Sequence, residues 1–301
     1  MVMKRGCVIG YDINEKGCQI SYYDDSMEEP DTMMASSNNY LIPLVLGYFK
    51  DRWVFGKEAK RLAVVGEDCT ETDLYGKAKR REKVSLAGKT YDAVWLLAKY
   101  ISLTLQDFEN IQYLTFTTPE TDVDMAKMLK GIGQHIGVDK EIINVQDYKE
   151  SFCQYMIFQP KELWQYESAL FYCDEDRIKA YMLRRLRVDA SHGMNSFVTV
   201  DEVANAQRKE LEALYPIMNK EKSPDESFKS MIENVFEKKV ISSVYLTGEG
   251  FEKNWYPNSL RVLCNGRRAF MGNNLYSKGA CYKSIRKCEP NDDGPIYLDE
   301  T

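Results

Sequence analysis

Short apolar runs and helical stripes alternate along the chain. Residues 8–13 (VIGYDI) and 18–23 (CQISYY) are β-like, and Asn14-Glu15-Lys16-Gly17 between them has turn chemistry, so a hairpin is predicted. Residues 24–39 are polar, acidic and Pro-containing, and predict a loop. Residues 44–49 and 53–55 predict a second hairpin that leads into a helix over 56–65. Val94, Leu97, Ala98, Ile101, Leu105 and Phe108 keep helical spacing, predicting a helix over 91–108. A buried strand at 111–117, a helix at 121–137, a strand at 141–145 and a helix at 146–158 follow, the last stopping before Pro160. The pattern then restarts: strand 169–173, turn Asp174-Glu175-Asp176-Arg177, strand 178–186. Helices are predicted over 201–215 and 225–237, with a polar turn at 216–224. A buried strand at 240–246 ends in Thr247-Gly248-Glu249-Gly250, a helix starts in 251–256, another covers 274–284, and a last strand falls at 296–298. Strands and helices alternating in two similar halves predict the α/β class.

Composition narrows the function classes. The chain has 301 residues, 44% hydrophobic, enough for one large or two medium domains with a core that needs no staples. A net charge of −6 argues against a general nucleic-acid binder, which needs a basic face. Two histidines, His135 and His192, exclude a His-rich metal site and argue against a histidine triad. Eight cysteines without a C-x-x-C pair read as buried free thiols of a reducing compartment, so a cytoplasmic protein is expected. The longest apolar stretch, 41–49, is far short of the roughly 20 residues of a spanning helix, and the amino-terminal segment reads as a strand rather than a signal peptide. The basic stretch 77–83 (KAKRREK) reads as a solvated face. Gly88-Lys89-Thr90 is no phosphate loop, because Lys83 stands where the pattern requires a glycine.

The placement of carboxylates is more informative. Asp12 ends the first strand, Asp174 ends the strand that opens the second half, and Asp147 begins the helix leading out of the first half. Converging on one cleft, the three would hold a hydrated magnesium ion against nucleotide phosphates; taken singly, each would cap a turn or helix. The order of segments resembles the actin-like ATPase superfamily of actins, chaperone ATPase domains and sugar kinases. Residues 9–24 (IGYDINEKGCQISYYD) resemble its first phosphate hairpin, 53–63 (WVFGKEAKRLA) the chaperone-type strand and helix, and 113–120 (YLTFTTPE) the strand ending in a Pro turn. Residues 145–155 (VQDYKESFCQY) resemble the helix between the halves, 168–183 the second phosphate hairpin, 244–254 (VYLTGEGFEKN) the adenosine turn, and 274–282 (NLYSKGACY) the helix that packs back on the first half.

The resemblance implies a two-lobed, ribonuclease H-like α/β fold, each lobe a mixed sheet opening with an antiparallel hairpin and flanked by helices. The first lobe would take 1–160 and 274–301, the second 161–273. It implies Asp12, Asp147 and Asp174 as the catalytic acids, with Asp12 and Asp174 reaching magnesium through water. Lys16, Gly17 and Arg177 would face phosphate, and Gly248, Gly250 and Phe251 would border adenosine. The sequence departs from the family where phosphates bind. The first turn has one late glycine, the second none, and Glu15, Glu175 and Asp176 bring negative charge, each opposing a phosphate by about 1–4 kcal/mol. The expected function is therefore a degenerate, non-catalytic scaffold or partner-binding module. The alternatives are a Mg-ATP- or ADP-binding ATPase and a small-molecule kinase of the same fold. A protein partner is expected, with the 20 tyrosines and the 24–39 loop as candidate contacts, in a monomer or dimer that engages neither nucleic acid nor membrane.

Overall fold

Residues 6–37, 39–66, 69–186, 196–207, 223–289 and 294–299 are described by the computed structural model. Its first strand, β1 (Cys7–Ile13), is buried along its whole length, as a central strand covered on both faces must be. β2 (Gly17–Tyr23) pairs with it antiparallel, and β3 (Asp31–Thr32) and β4 (Ile42–Pro43) pair with β2. A small separate sheet joins β5 (Leu46–Phe49), β6 (Arg52–Phe55) and β7 (Thr70–Glu71), with α1 (Gly56–Val65) between the last two. α2 (Leu74–Lys79) precedes a hairpin of β8 (Lys83–Leu86) and β9 (Lys89–Asp92). Gly88-Lys89 therefore belongs to a hairpin, whose turn residues Ala87 (φ 49°) and Gly88 (φ 76°) are both left-handed, as a type I′ turn requires.

The helix predicted from 91 starts at α3 (Ala93–Thr104), because Asp92 accepts from the N–H groups of Val94 and Trp95 and caps it. Ala93, Leu96, Leu97, Tyr100, Ile101 and Thr104 form its buried face at spacings of three and four. β10 (Ile111–Thr118) and β11 (Ile143–Asp147) run parallel to β1, linked by α4 (Val123–His135), and α5 (Tyr148–Ile157) follows. The sheet order is β11-β10-β1-β2-β3.

The second sheet repeats this order. β12 (Glu167–Cys173), β13 (Arg177–Leu186) and β14 (Phe197–Gln207) form an antiparallel meander. After α6 (Pro224–Phe236), β15 (Ile241–Thr247) lies parallel to β12; after α7 (Pro257–Leu263), β16 (Arg268–Met271) lies parallel to β15. The order is β16-β15-β12-β13-β14, with β17 (Ile296–Tyr297) beside β14. Two predictions fail here. Residues 201–207 are strand, not helix: the β-branched run entering β14 continues a ladder on β13 down to Arg177↔Gln207, and that pairing overrides local spacing. Residues 208–215 of that predicted helix, and 216–222 of the predicted turn, lie outside the described residues. A helix does not start in 251–256 either; Glu249–Phe251 is a single 3₁₀ turn, and α7 begins at Pro257, a residue favoured at the first helical position.

The chain divides into two compact units, Met1–Ser151 with Tyr276–Asp292 and Phe152–Leu275 with Asp293–Thr301. The helix α8 (Leu275–Cys288) packs in the first unit directly on β1. A Cβ on Gly10 would stand 2.1 Å from the Ser277 carbonyl oxygen, so only glycine admits this approach. Ser284 donates to the Ile9 carbonyl at 3.0 Å, and the Ser277 and Ser21 hydroxyls meet at 2.8 Å. The mixed sheets with flanking helices are those of an α/β protein. Among the described residues no helix is long and apolar enough to cross a membrane. None of the eight cysteines is in a disulfide; six are buried as expected, and Cys264 and Cys288 are exposed.

Candidate functional site

The predicted site residues fall at the carboxyl ends of the parallel strands, in both units. In the first unit Asp12 of β1 stands beside Thr117 of β10, and Thr117 beside Gln146 of β11, so the three side chains share one face of the sheet. Asp12 is 4% exposed. Its Oδ1 accepts a 2.7 Å hydrogen bond from the Tyr148 hydroxyl, which in turn accepts from Asn14 Nδ2 at 3.0 Å. The Tyr148 ring stacks on Tyr276, centroids 3.7 Å apart and planes 6° from parallel. Burial pushes the Asp12 carboxyl up to about 7, and the Tyr148 hydrogen bond offsets only part of that. Thr117 and Ser151 share a 2.7 Å hydroxyl contact, Gln146 Nε2 donates to Ser151 Oγ at 2.7 Å, and Gln146 Oε1 is buried without a partner. Asp147 accepts from the Glu150 N–H at 2.8 Å, which starts α5.

The turn after β1 is closed from within. Asn14 Oδ1 accepts from the N–H groups of Lys16 (2.9 Å) and Gly17 (3.2 Å), while the Asn14 N–H donates to the Gly17 carbonyl (3.0 Å). The turn after β12 is built the same way. Asp174 Oδ1 accepts from the N–H groups of Asp176 (2.8 Å) and Arg177 (2.7 Å), and the Asp174 N–H donates to the Arg177 carbonyl (3.1 Å). These are Asx turns, and no residue in either one is left-handed. The left-handed residue that alternates with right-handed ones in an anion-binding nest is missing from both. Gly17 is needed for another reason: a Cβ there would stand 2.4 Å from the Ile42 carbonyl of β4.

The remaining predicted residues lie in the second unit. A Cβ on Gly248 (φ 92°) would meet the Cys173 carbonyl at 2.2 Å, and one on Gly250 would meet Cys173 Sγ at 2.2 Å. Both glycines thus fit the chain against the end of β12. Phe251 is buried and packs against Phe228, Trp255 and Tyr256, a ring cluster of the core. Asp12, Lys16, Gly17 and Asp147 belong to the first unit; Asp174, Arg177, Gly248, Gly250 and Phe251 belong to the second. Among the described residues no three His, Cys, Asp or Glu side chains gather as a metal site would require. Sequence reasoning missed Asn14, Tyr148, Gln146 and Ser151. The tyrosine next to Asp147 and the polar residues at the strand ends were the available signals.

A model of the C-terminal part of a family of unknown function, DUF5716, matches residues 29–300, and the chain belongs to that family. No curated protein matches it.

Proposed function

We propose that the chain is a divergent member of the actin-like ATPase superfamily, with a two-lobed ribonuclease H-like fold, that acts in the cytoplasm as a non-catalytic, partner-binding scaffold. The repeated five-strand order with its opening hairpin supports the fold assignment. The observation that carries the functional reading is the closure of both hairpin turns. The N–H groups of Lys16, Gly17, Asp176 and Arg177 donate to side chains of their own turns. A phosphate would have to break those bonds and face Glu15, Glu175 and Asp176 as well. Asp12, the first candidate magnesium acid, is buried, and its Oδ1 is taken up by the Tyr148 hydroxyl at 2.7 Å. The residues present do not fit a magnesium nucleotide.

Calorimetry with magnesium-ATP and magnesium-ADP tests this reading. No heat at millimolar nucleotide is expected, for the wild type and for Asp12→Ala and Asp174→Ala alike. Micromolar binding lost in both variants would establish a live nucleotide site instead and make turnover the next measurement.

A further inference from the structure

In the second unit, the end of the sheet opposite the hairpin turn gathers cations, and among the described residues its two arginines Arg185 and Arg267 have no ion-pair partner. The register places its members: Glu167 of β12 pairs Ile241 of β15, Ser243 pairs Arg268 of β16, and Ser168 pairs Leu183 of antiparallel β13. Gln165 and Tyr166 before β12, Lys238 to Val240 before β15, Arg267 before β16 and Arg185 near the end of β13 therefore share one end of the sheet. The three spacings of about 4.8 Å between these four strands make this end of the sheet about 15 Å wide.

Two arginines are held there by rings alone. The Arg185 guanidinium lies 5.6 Å over Trp164, in a pocket of about 380 Å³ lined also by Lys161, Glu162 and Gln165. The half-buried Arg267 guanidinium lies 4.5 Å over Phe236, and its Nη1 is buried without an acceptor. Among the described residues neither has an ion-pair partner. Arg184, next to Arg185, shows how the protein treats an arginine used for structure: Glu167 and Asp201 hold it at 3.0 and 2.6 Å. A guanidinium stacked on a ring with unused donors is pre-oriented for a bidentate carboxylate, and its desolvation strengthens that bond. Exposed apolar surface lies beside the charges, with Val240 63% and Tyr166 50% exposed. Among the described residues, the acids recorded beside the patch are Glu162 in the pocket, Glu237 paired with Lys238 at 3.3 Å, and Glu167 and Asp201, both engaged by Arg184.

We propose that this edge is a docking site for an acidic protein segment, whose carboxylates bind Arg185 and Arg267 and whose apolar residues rest on Val240 and Tyr166. Calling the occupant a protein rests on the partner-binding reading; the charge complementarity does not. The test is fluorescence anisotropy on the full chain, using a short fluorescein-labelled peptide in which Glu and Leu alternate, and its Gln-for-Glu counterpart. Micromolar binding of the acidic peptide is expected, weakened about tenfold or more in Arg185→Gln/Arg267→Gln, weakened by added salt, and unchanged in Lys57→Gln on α1. If the half-buried Arg267 variant unfolds, Arg185→Gln alone, at an exposed position, is expected to weaken binding about threefold or more. Absence of binding, equal binding of the Gln peptide, or indifference to the substitutions would overturn the proposal. Inorganic polyphosphate binding at these arginines in preference to the peptide would overturn it too. Nucleotide binding in the separate calorimetric experiment would sink the scaffold reading and leave this site standing.

Discussion

Two aspartates, one in each unit, are both 4% exposed, yet Asp12 lies deep in the fold and Asp225 close under the surface, and they behave in opposite ways. Asp12 receives one recorded hydrogen bond, from Tyr148, and burial drives its carboxyl up to about 7. Asp225, in the first turn of α6, receives the N–H groups of Asn258 and Ser259 (both 2.8 Å) and the Ser259 hydroxyl (2.7 Å). Burial pushes Asp225 up as well, but these donors outweigh it and hold the carboxyl below its ordinary value. Depth of burial sets the penalty on a charge and the donors set what offsets it, and Asp225 has both the smaller penalty and the more donors. Asp225 is a built anion that ties the start of α7 to α6. Asp12 is a carboxyl left short of donors, in a place where a metal or phosphate chemistry would demand a full charge.

The largest expected break in this comparison is Asp225→Ala. It strands two backbone donors and a hydroxyl, and urea denaturation is expected to show a loss of about 3 kcal/mol. It should also remove an acid-sensitive part of stability. Because the folded carboxyl titrates below its unfolded value, its contribution is whole above about pH 4 and is lost as pH falls further. Asp12 has the reverse dependence. It titrates at about 7 in the fold and near ~3.9 in an unfolded chain, so its contribution is whole below about pH 4 and is lost as pH rises toward about 7. At ~1.4 kcal/mol per pH unit, that interval is worth on the order of 4 kcal/mol. Asp12→Asn is therefore expected to raise stability at pH 8 by about 2 kcal/mol, after the cost of a buried amide, and to add nothing at pH 4.

Tyr148→Phe sharpens the same point at smaller size. It removes the one recorded donor to Asp12, so a loss of about 1.5 kcal/mol is expected above pH 7 and much less at pH 4. Added to Asp12→Asn, it should do little more, and a denaturation cycle across pH measures that coupling. The smallest effects concern what the units share. Asn14→Ala and Asp174→Ala each free two turn N–H groups, and each is expected to lose about 1 kcal/mol. Asp174→Asn keeps the accepting oxygen and should change stability by less than about 0.5 kcal/mol, whereas Asn14→Asp also loses the Nδ2 donor to Tyr148 and should cost about 1 kcal/mol. A large difference between the two alanine variants would show that the turns are not equivalent devices.

The α/β alternation and both opening hairpins were legible because their signals are local: apolar runs, turn residues, and burial on both faces of β1. The stripe of α3 was legible for the same reason. β14 was not, since its strand character at 201–207 comes from pairing with β13, and nothing local announces an edge strand. The β8–β9 hairpin was hidden by a sequence that tempted a phosphate-loop comparison. At the site, Asp12 and Asp174 at strand ends could be read from the sequence, while Asp147, expected at a helix start, is the last residue of β11 as well. Their partners could not, because Tyr148 reaches Asp12 across 136 positions of chain and Ser259 reaches Asp225 across 34. Gly248 and Gly250 were visible as glycines, but their reason, contact with Cys173, is a packing fact.

The central claim is that the turn amides are already bonded inside the protein and do not receive phosphate. Selective ¹⁵N labelling with amide spectra during a magnesium-ATP titration tests it most directly. The account expects the resonances of Lys16, Gly17, Asp176 and Arg177 to stay in place at millimolar nucleotide. Saturable movement of those four amides, abolished by Asp12→Ala, would contradict it.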